Sequence, residues 1–209
     1  MIIVVFVVFI LGFVLPSATR IIEERTEIQL MNLVDLPLSE IQRQYALFQG
    51  GELTEEEAKL NVLNIIKEYR YNEVEYFWIN DMNGLMLMHP INEALNGTDV
   101  TTLKDPDGKF LFKDMIEVVA QKREGIVRYQ WPKPGSEAPQ PKISFVKGFP
   151  EWNWVVGTGI YADDLKAIER ELQIQVLSMS GVAILISVAL IMFIIIPLNK
   201  KLKWITSGS

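Results

Sequence analysis

Two apolar blocks without charged residues lie towards the two ends of this 209-residue chain. Residues 1–19 carry no Asp, Glu, Lys or Arg, and residues 172–199 carry none either. At about 1.5 Å per residue, the run from Ile174 to Leu198 is long enough to cross a bilayer core of roughly 30 Å. The pattern therefore predicts transmembrane helices at 1–19 and 172–199.

The first block has a competing interpretation as a cleaved signal peptide, because it is marginal in length and Ser17-Ala18-Thr19 offers small residues for cleavage. Signal peptides begin with a basic region, whereas this chain begins Met-Ile-Ile-Val-Val. We therefore expect an uncleaved span. In either case the middle of the chain is expected to be translocated.

The lysines after the second block predict the orientation. Lys200, Lys201 and Lys203 follow it directly, and loops rich in Lys and Arg stay in the cytoplasm. Residues 20–171 are therefore expected to form an extracytoplasmic domain, and residues 200–209 to begin a cytoplasmic linker.

A long helix is predicted from Ala18 to about Phe48, where apolar residues recur at three- and four-residue spacings with Glu and Arg between them. The apolar stripe suits packing on the domain's own sheet, packing on a second copy in a dimer, or both on different faces. Pro37 is expected to kink or divide this helix, because proline removes a helical hydrogen bond.

Shorter helices are predicted further along. Thr54 and Glu57 have the spacing of a capping box, which starts a helix running to about Tyr69. Another helix is expected from about Phe110 to Lys122. A last helix begins near residue 163 and enters the second apolar block.

Five strands are predicted between these helices. The first two form a β-hairpin whose turn is Asn83-Gly84, a pair that adopts the positive φ of tight hairpin turns. The strands are 73–80, 85–89, 125–131, 142–148 and 152–160. The segment 90–108 between them is irregular and rich in turn signals. This order predicts an α+β domain with an antiparallel five-stranded sheet.

Strand alternation predicts that polar aromatic groups, an imidazole and an ammonium share one face of the sheet. That face collects Tyr76, Trp78, Leu85, Leu87, His89, Tyr129, Trp131 and Lys142, opposite Met86 and Met88. Such groups suit a small carboxylate, which needs a cation or several donors when it leaves water. The alternative is that the aromatic residues are ordinary core and that Lys142 is solvated.

The composition excludes several classes of function. The chain has no cysteine and one histidine, so thiolate and multi-histidine metal sites are excluded. Its formal net charge of −6 disfavours nucleic acid as a partner. Hydrolase, zinc-protease and phosphate-loop motifs are missing, and the turn sequences lack the glutamate that completes a calcium loop. We expect no catalytic residue, no cofactor and no metal.

An ordered series of motifs resembles a single Cache domain of the second type, the PAS-like extracytoplasmic sensor of bacterial chemoreceptors and sensor kinases. The series consists of Tyr76–Asp81, Met88–Pro90, Asp105–Lys109, Glu124–Gly135, Pro141–Lys147 and Phe149–Tyr161. The resemblance implies a pocket between the sheet and the 90–108 segment, with small organic acids as the usual ligands. Phe145 departs from the tyrosine that such domains often carry, so a hydroxyl contact is missing there.

The resemblance leads to a specific expectation for the pocket. A C2–C4 carboxylate is compensated by Lys142 and His89. It is enclosed by four aromatic residues, Tyr76, Trp78, Tyr129 and Trp131.

A second resemblance concerns the C-terminal end, where Ile196-Pro197-Leu198 with Leu202 and Ile205 is similar to the opening of a HAMP linker. The expected protein is a homodimeric receptor of the bacterial inner membrane with two spans, a periplasmic sensor domain and a cytoplasmic C-terminus. A methyl-accepting chemotaxis receptor is expected ahead of a sensor kinase. The alternative is a ligand-free structural or dimerisation module with a Cache-like fold.

Overall fold

The computed structural model describes residues 8–72 and 74–207, apart from the side chains of residues 164, 165, 168, 169 and 198–207. Two compact units divide the chain: Ile22–Lys166 is one, and Met1–Ile21 with Ala167–Ser209 is the other. The prediction of a span at 1–19 lies partly outside the described residues.

The helices of the described part are α1 (Leu15–Gln49), α2 (Glu55–Lys67), α3 (Leu111–Lys122) and α4 (Ala162–Ser207), with one π-helical turn, Ile10–Val14, before α1. Within the described residues, one segment, Arg170–Pro197, is long and apolar enough to cross a membrane.

The long helix α1 continues through Pro37, so the helix is not divided there, and a kink at this residue stays a prediction. Pro37 is buried in the same stripe as Val34 and Ile41. Packing along this stripe offsets the missing hydrogen bond, because most helical stability in proteins comes from tertiary contacts.

The predicted capping box of α2 is confirmed. The Glu57 N–H donates to Thr54 Oγ1 at 3.2 Å, and the Thr54 N–H donates to Glu57 Oε2 at 2.9 Å. The helix then buries Ala58, Val62 and Ile66.

An antiparallel sheet forms the middle of the Ile22–Lys166 unit. Its strands are β1 (Arg70–Tyr71), β2 (Glu75–Asp81), β3 (Met86–Met88), β4 (Glu124–Pro132), β5 (Pro139–Phe149) and β6 (Trp154–Tyr161). The spatial order is β1-β2-β6-β5-β4, and β3 pairs with β2 off this path. The sheet thus has six strands instead of the predicted five, because β1 has only two residues and no alternation to detect.

The sheet separates two apolar clusters. One face packs against α1 and α2 through residues such as Phe77, Ile79 and Val156. The other face packs against α3, whose Leu111 and Met115 are buried with residues of β2, β4 and β5. The central strand β6 is buried along its whole length.

The second hairpin arm departs from simple alternation. Met86 is buried in the α3-side cluster, whereas Met88 is buried in the α1-side cluster. The prediction that they share a face is wrong, because the β2–β3 register shifts between Ile79 and Asn80. Such a bulge inserts a residue and turns the strand's side chains over.

Candidate functional site

The ammonium group of Lys142 lies at the centre of the candidate site. Lys142 is on β5 and only 1% exposed. Its Nζ lies 4.2 Å from the ring centroid of Tyr76, 4.4 Å from that of Tyr161 and 6.0 Å from that of Trp78. It donates a hydrogen bond to the Tyr161 hydroxyl at 3.3 Å. Because aromatic faces attract cations, the strands enclose a buried positive charge in a box of rings.

Two glycines of β6 make room for this box. A Cβ on Gly157 would overlap the indole ring of Trp78. A Cβ on Gly159 would overlap Ser144 Oγ and would lie 3.0 Å from Lys142 Cε. Glycine inside a strand marks such close approaches, and here it lets a lysine and an indole lie flat against the sheet.

Two tyrosine hydroxyls are held in place beside the ammonium. The Tyr161 hydroxyl donates to the Pro132 carbonyl oxygen at 2.7 Å, and the Tyr129 hydroxyl shares a 2.9 Å hydrogen bond with Ser144 Oγ. Burial raises the pKa of both tyrosines well above the ordinary value. Both therefore remain neutral, polar groups at the pocket wall.

A chain of ring contacts forms the rest of the wall. The His89 ring lies 5.0 Å from Tyr76 and 5.9 Å from Trp131 between centroids. Phe112 meets Trp131 edge to face at 6.0 Å and Trp78 at 6.5 Å. Strand β2, strand β4 and helix α3 thus contribute to one connected cluster of aromatic rings.

The surroundings of His89 favour its neutral form, and its role towards a ligand stays a prediction. Its Nδ1 accepts the N–H groups of Asn92 at 2.9 Å and Ile91 at 3.3 Å, so the ring proton is on Nε2. Burial, together with the charge of Lys142, lowers the pKa of His89 to about 3. His89 therefore offers a neutral Nε2–H donor and holds the turn after Pro90.

The charge of Lys142 depends on its buried surroundings. Burial lowers the pKa of Lys142 to about 7, and the negative charge of Glu75 acts in the opposite direction. Glu75 is itself only 1% exposed and precedes Tyr76 on β2. Desolvation of a cation has this effect because the charged form loses its hydration.

The Trp78 indole contributes a wall and not a free donor. Its Nε1–H donates to Asn80 Oδ1 at 3.2 Å, and Asn80 Nδ2 donates to the Asp81 carbonyl oxygen at 3.0 Å. Asn80 is fully buried. This small network fixes the plane of the indole against Gly157.

The irregular segment 90–109 is attached to the sheet at its first end through His89 and backbone bonds. The His89 N–H donates to Asn96 Oδ1 at 2.7 Å. The Met86 N–H donates to the Thr98 carbonyl at 3.0 Å, and Val100 is buried in the α3-side cluster. The segment therefore packs over the same cluster that contains the pocket aromatics.

Asp105 attaches the far end of this segment to β4. Its Oδ1 accepts the N–H groups of Lys109 at 2.9 Å and Asp107 at 3.0 Å, and its Oδ2 accepts that of Gln130 at 3.1 Å. A carboxylate that receives three backbone donors ties the loop to the edge strand.

A cleft of about 370 Å³ reaches Lys142 and Tyr129 from this end. Its lining includes Asp105, Asp107, Lys109, Arg128, Tyr129, Gln130 and Lys142. The cleft lies beside the loop that Asp105 holds.

The structure brings all six predicted site residues into ring or cation contact: Tyr76, Trp78, His89, Tyr129, Trp131 and Lys142. Tyr129 joins the others through Trp131, at 6.4 Å between ring centroids. Sequence reasoning missed Tyr161, Gly157, Gly159 and Phe112. The alternating Gly157-Thr158-Gly159 in a strand was the available signal, since such glycines mark close approach.

Comparison with known proteins identifies the family. The family model for single Cache domain 2 matches residues 22–174, well over half of the chain. The chain belongs to the single Cache domain 2 family. It is a sensory domain of the kind found in chemotaxis receptors and sensor kinases, and its α+β fold with a long N-terminal helix is that of its relatives.

Two curated relatives of this Cache domain are a chemotaxis receptor and a sensor kinase. The methyl-accepting chemotaxis protein McpP of Pseudomonas putida is 38% identical over 72% of the chain and 28% of its own length. The sensor histidine kinase MctS of Rhizobium johnstonii is 34% identical over 68% of the chain and 30% of its own length. The chain thus spans under a third of these proteins.

Solved structures match the sensor domain over almost their whole length. A periplasmic sensor domain of a chemotaxis protein is 41% identical with a TM-score of 0.65, covering 68% of this chain and 98% of that one. A structure described as showing carboxylic acid recognition by a Cache chemosensory domain is 39% identical with a TM-score of 0.64, covering 70% and 97%.

Proposed function

We propose that the chain is the membrane-bound extracytoplasmic sensor of a bacterial signal transducer, and that it binds a C2–C4 carboxylate beside Lys142. The observation that carries this proposal is the buried ammonium of Lys142, which is 1% exposed and faces Tyr76 and Tyr161. A buried cation is costly unless an anion compensates it. The charge of Glu75 offsets part of this cost, and a small carboxylate would add an anion in direct contact with the ammonium.

The groups around Lys142 suit a carboxylate in particular. The ammonium can donate a charge-assisted hydrogen bond to a carboxylate, which is the strong kind of hydrogen bond. The Nε2–H of His89, whose ring lies 5.0 Å from that of Tyr76, is a neutral donor on the same side. The Tyr161 hydroxyl accepts from Lys142 and donates to the Pro132 carbonyl oxygen, so it holds the ammonium in place. The relative whose structure is described as recognising carboxylic acids supports the same ligand class.

The ring contacts favour a small ligand. Phe112 and Trp131 meet edge to face at 6.0 Å and enclose the apolar side of the site. A chain of two to four carbons suits such a space, because only a short apolar chain can follow the carboxylate between these rings.

The proposed topology has two spans, at 1–19 and 172–199, with the sensor domain in the periplasm and the C-terminus in the cytoplasm. The candidate span Arg170–Pro197 and the lysines that follow it support this arrangement. The relatives named as chemotaxis proteins and as a sensor kinase support a methyl-accepting chemotaxis receptor, with a sensor kinase second.

The proposed receptor acts as a homodimer through α1. Ile28 and Leu36 of α1 are 53% and 60% exposed. Their eight-residue spacing places them within a quarter turn of each other on the helix. A second copy of α1 would cover this apolar surface.

The proposed signal leaves through β6. This strand carries the pocket residue Tyr161 as its last residue, and α4 begins at the next residue, Ala162. A change in the pocket that moves Tyr161 is therefore applied to the first turn of α4. Differential ligand affinity for the two positions would drive the shift.

A thermal-shift screen of the chain in lipid nanodiscs tests the ligand. Acetate, propionate, butyrate and succinate are added in series, and a ligand raises the melting temperature in proportion to ln(1 + [L]/Kd). Lys142→Met should abolish the shift. Lys147→Met is the matched control, because Lys147 lies on the same strand but pairs with Asp35 at 3.0 Å.

A shift that persists in Lys142→Met would refute the assigned pocket. If none of the acids shifts the melting temperature, the sensor proposal is wrong, and the domain is then a structural or dimerisation module with a Cache-like fold.

A further inference from the structure

Two ionisable groups of opposite charge are buried next to the candidate pocket. Lys142 and Glu75 are each 1% exposed. Lys142 is on β5. Glu75 is the first residue of β2 and precedes Tyr76, whose ring faces the Lys142 ammonium. Charges this well buried depend on each other, because water does not stabilise either of them.

The protein groups around Lys142 favour its charged form only weakly. The ammonium rests on two ring faces at 4.2 and 4.4 Å, and its hydrogen bond to the neutral Tyr161 hydroxyl is 3.3 Å long. Phenol and ring faces replace hydration only in part. The negative charge of Glu75 also favours the protonated amine, whereas burial of Lys142 disfavours it.

A carboxylate bound at this ammonium changes the balance. Its negative charge stabilises the protonated amine directly, so the bound pocket holds the proton more tightly than the empty one. Linkage makes the effect reciprocal: if the ligand favours the proton, the proton favours the ligand by the same factor.

We propose that Lys142 takes up a proton when the pocket binds a carboxylate, and that Glu75 is the positioning residue that sets the pH range of this uptake. The proposal rests on the carboxylate function proposed above. The receptor would then respond to the anion together with acidity, and its response to a fixed carboxylate concentration would weaken in alkaline medium.

Burial keeps the tyrosines and the histidine around Lys142 neutral. The titratable or charged groups that face Lys142 or line its cleft are Tyr76, His89, Asp105, Asp107, Lys109, Arg128, Tyr129 and Tyr161, and Glu75 acts on it through its charge, while α3 contributes the apolar Phe112 and Met115. Burial raises the pKa of the tyrosines and lowers that of His89 to about 3. The tyrosines and His89 therefore do not take up a proton between neutral and mildly alkaline pH, and we assign the uptake to Lys142.

Calorimetry of the wild-type chain in nanodiscs tests the uptake without any variant. Propionate is titrated in phosphate and in Tris at the same pH, since the difference in binding enthalpy between buffers of different ionisation enthalpy counts the protons taken up. We expect close to one proton per site at about pH 8.5 and almost none at about pH 5.5. The affinity should fall by up to about tenfold per pH unit above about 7.

Three variants assign the groups. Lys142→Arg keeps the charge but does not titrate, so the uptake should disappear. Glu75→Gln should move the loss of affinity to lower pH. Glu93→Gln is the matched control, because Glu93 is an exposed glutamate paired with Lys67 at 2.6 Å, and it should leave the pH profile unchanged.

The outcomes separate the two proposals. Equal binding enthalpies in both buffers at about pH 8.5 would overturn proton uptake while leaving carboxylate binding intact. If neither propionate nor any other C2–C4 acid binds, the proposed function itself is wrong. A folded Glu75→Gln variant with the wild-type pH profile would remove Glu75 from the proposal. If that variant does not fold, the wild-type and Lys142→Arg measurements still decide the uptake.

Discussion

At the scale of single residues, His89 contacts two different parts of the domain through one ring. Its face lies against Tyr76 and Trp131, and its Nδ1 holds the backbone of Ile91 and Asn92. The backbone contact requires the neutral ring, since protonation at Nδ1 would remove the acceptor. The single histidine is therefore a structural brace as well as a pocket donor.

The stability of the domain should depend on the protonation of His89. The folded-state pKa of about 3 lies below the ordinary value of 6.5, so the stabilisation is complete above about pH 6.5 and is lost progressively as the pH falls towards about 3. At about pH 5 the loss is on the order of 2 kcal/mol. His89→Gln should therefore show a smaller fall in the free energy of unfolding between about pH 7 and about pH 5 than the wild type.

Urea denaturation at the two pH values measures this difference. The carboxylates of the chain contribute equally to both proteins, so they cancel in the comparison. Identical pH dependence of the two proteins would contradict the neutral, buried assignment of His89.

At Gly157 the absence of a side chain leaves room for the indole ring of Trp78. Gly157→Ala places a methyl group inside the indole ring of Trp78, and both lie in a packed interior. We expect a loss of about 1–3 kcal/mol in the free energy of unfolding, as for other overpacked cores. Gly50→Ala is the control, because its nearest neighbour would be at 3.4 Å; equal urea midpoints for the two variants would contradict the close approach.

At the scale of elements, the segment 90–109 depends on two attachments with different chemistry. The first is His89 and the backbone bonds around Met86. The second is the carboxylate of Asp105, which receives backbone donors from its own loop and from Gln130 of β4. Together the two attachments hold both ends of the segment against the sheet.

Asp105→Asn should loosen the far end of this segment. An amide keeps the size of the side chain but loses the charge that strengthens the three hydrogen bonds. We therefore expect the free energy of unfolding to fall by roughly 1–3 kcal/mol. Hydrogen exchange should rise at the amides of Lys109 and Gln130. Asp107→Asn is the matched control, since Asp107 accepts only the exposed Gln130 side chain at 2.6 Å among the described contacts; similar exchange in both variants would argue against Asp105 as the attachment.

At the scale of the whole molecule, the unit Ile22–Lys166 has its own sheet and two apolar clusters. A unit with a complete core is expected to fold without the rest of the chain. The span candidate Arg170–Pro197 belongs to the other unit.

Residues 20–171 alone should therefore unfold in one cooperative urea transition and bind the same carboxylate as the intact chain in nanodiscs. The two dissociation constants, measured by calorimetry, are expected to agree within about threefold. The prediction is wrong if the fragment is unfolded. It is also wrong if the folded fragment does not bind an acid that the intact chain binds.

The sequence patterns predicted the helices α2 and α3 and the long strands to within a few residues. Periodicity and capping are local properties, as Thr54 and Glu57 illustrate, so neighbours along the chain suffice to read them. Two features escaped: β1 is too short to alternate, and the bulge beside Asn80 depends on pairing with a distant residue.

The candidate site divides in the same way. Alternation along single strands was enough to group Tyr76 with Trp78 and Tyr129 with Trp131, because side chains on one strand change face with a period of two. The apolar blocks and the element order were likewise readable from the chain, since they depend on composition and local propensity.

The remaining features of the candidate site depend on contacts between strands that are distant in the sequence. The hydrogen bond from Lys142 to Tyr161, the neutral state of His89 and the space above Gly157 and Gly159 arise where β2, β5 and β6 meet. Burial and cross-strand register govern charge and hydrogen bonding, and neither is encoded in the immediate neighbours of any one of these residues.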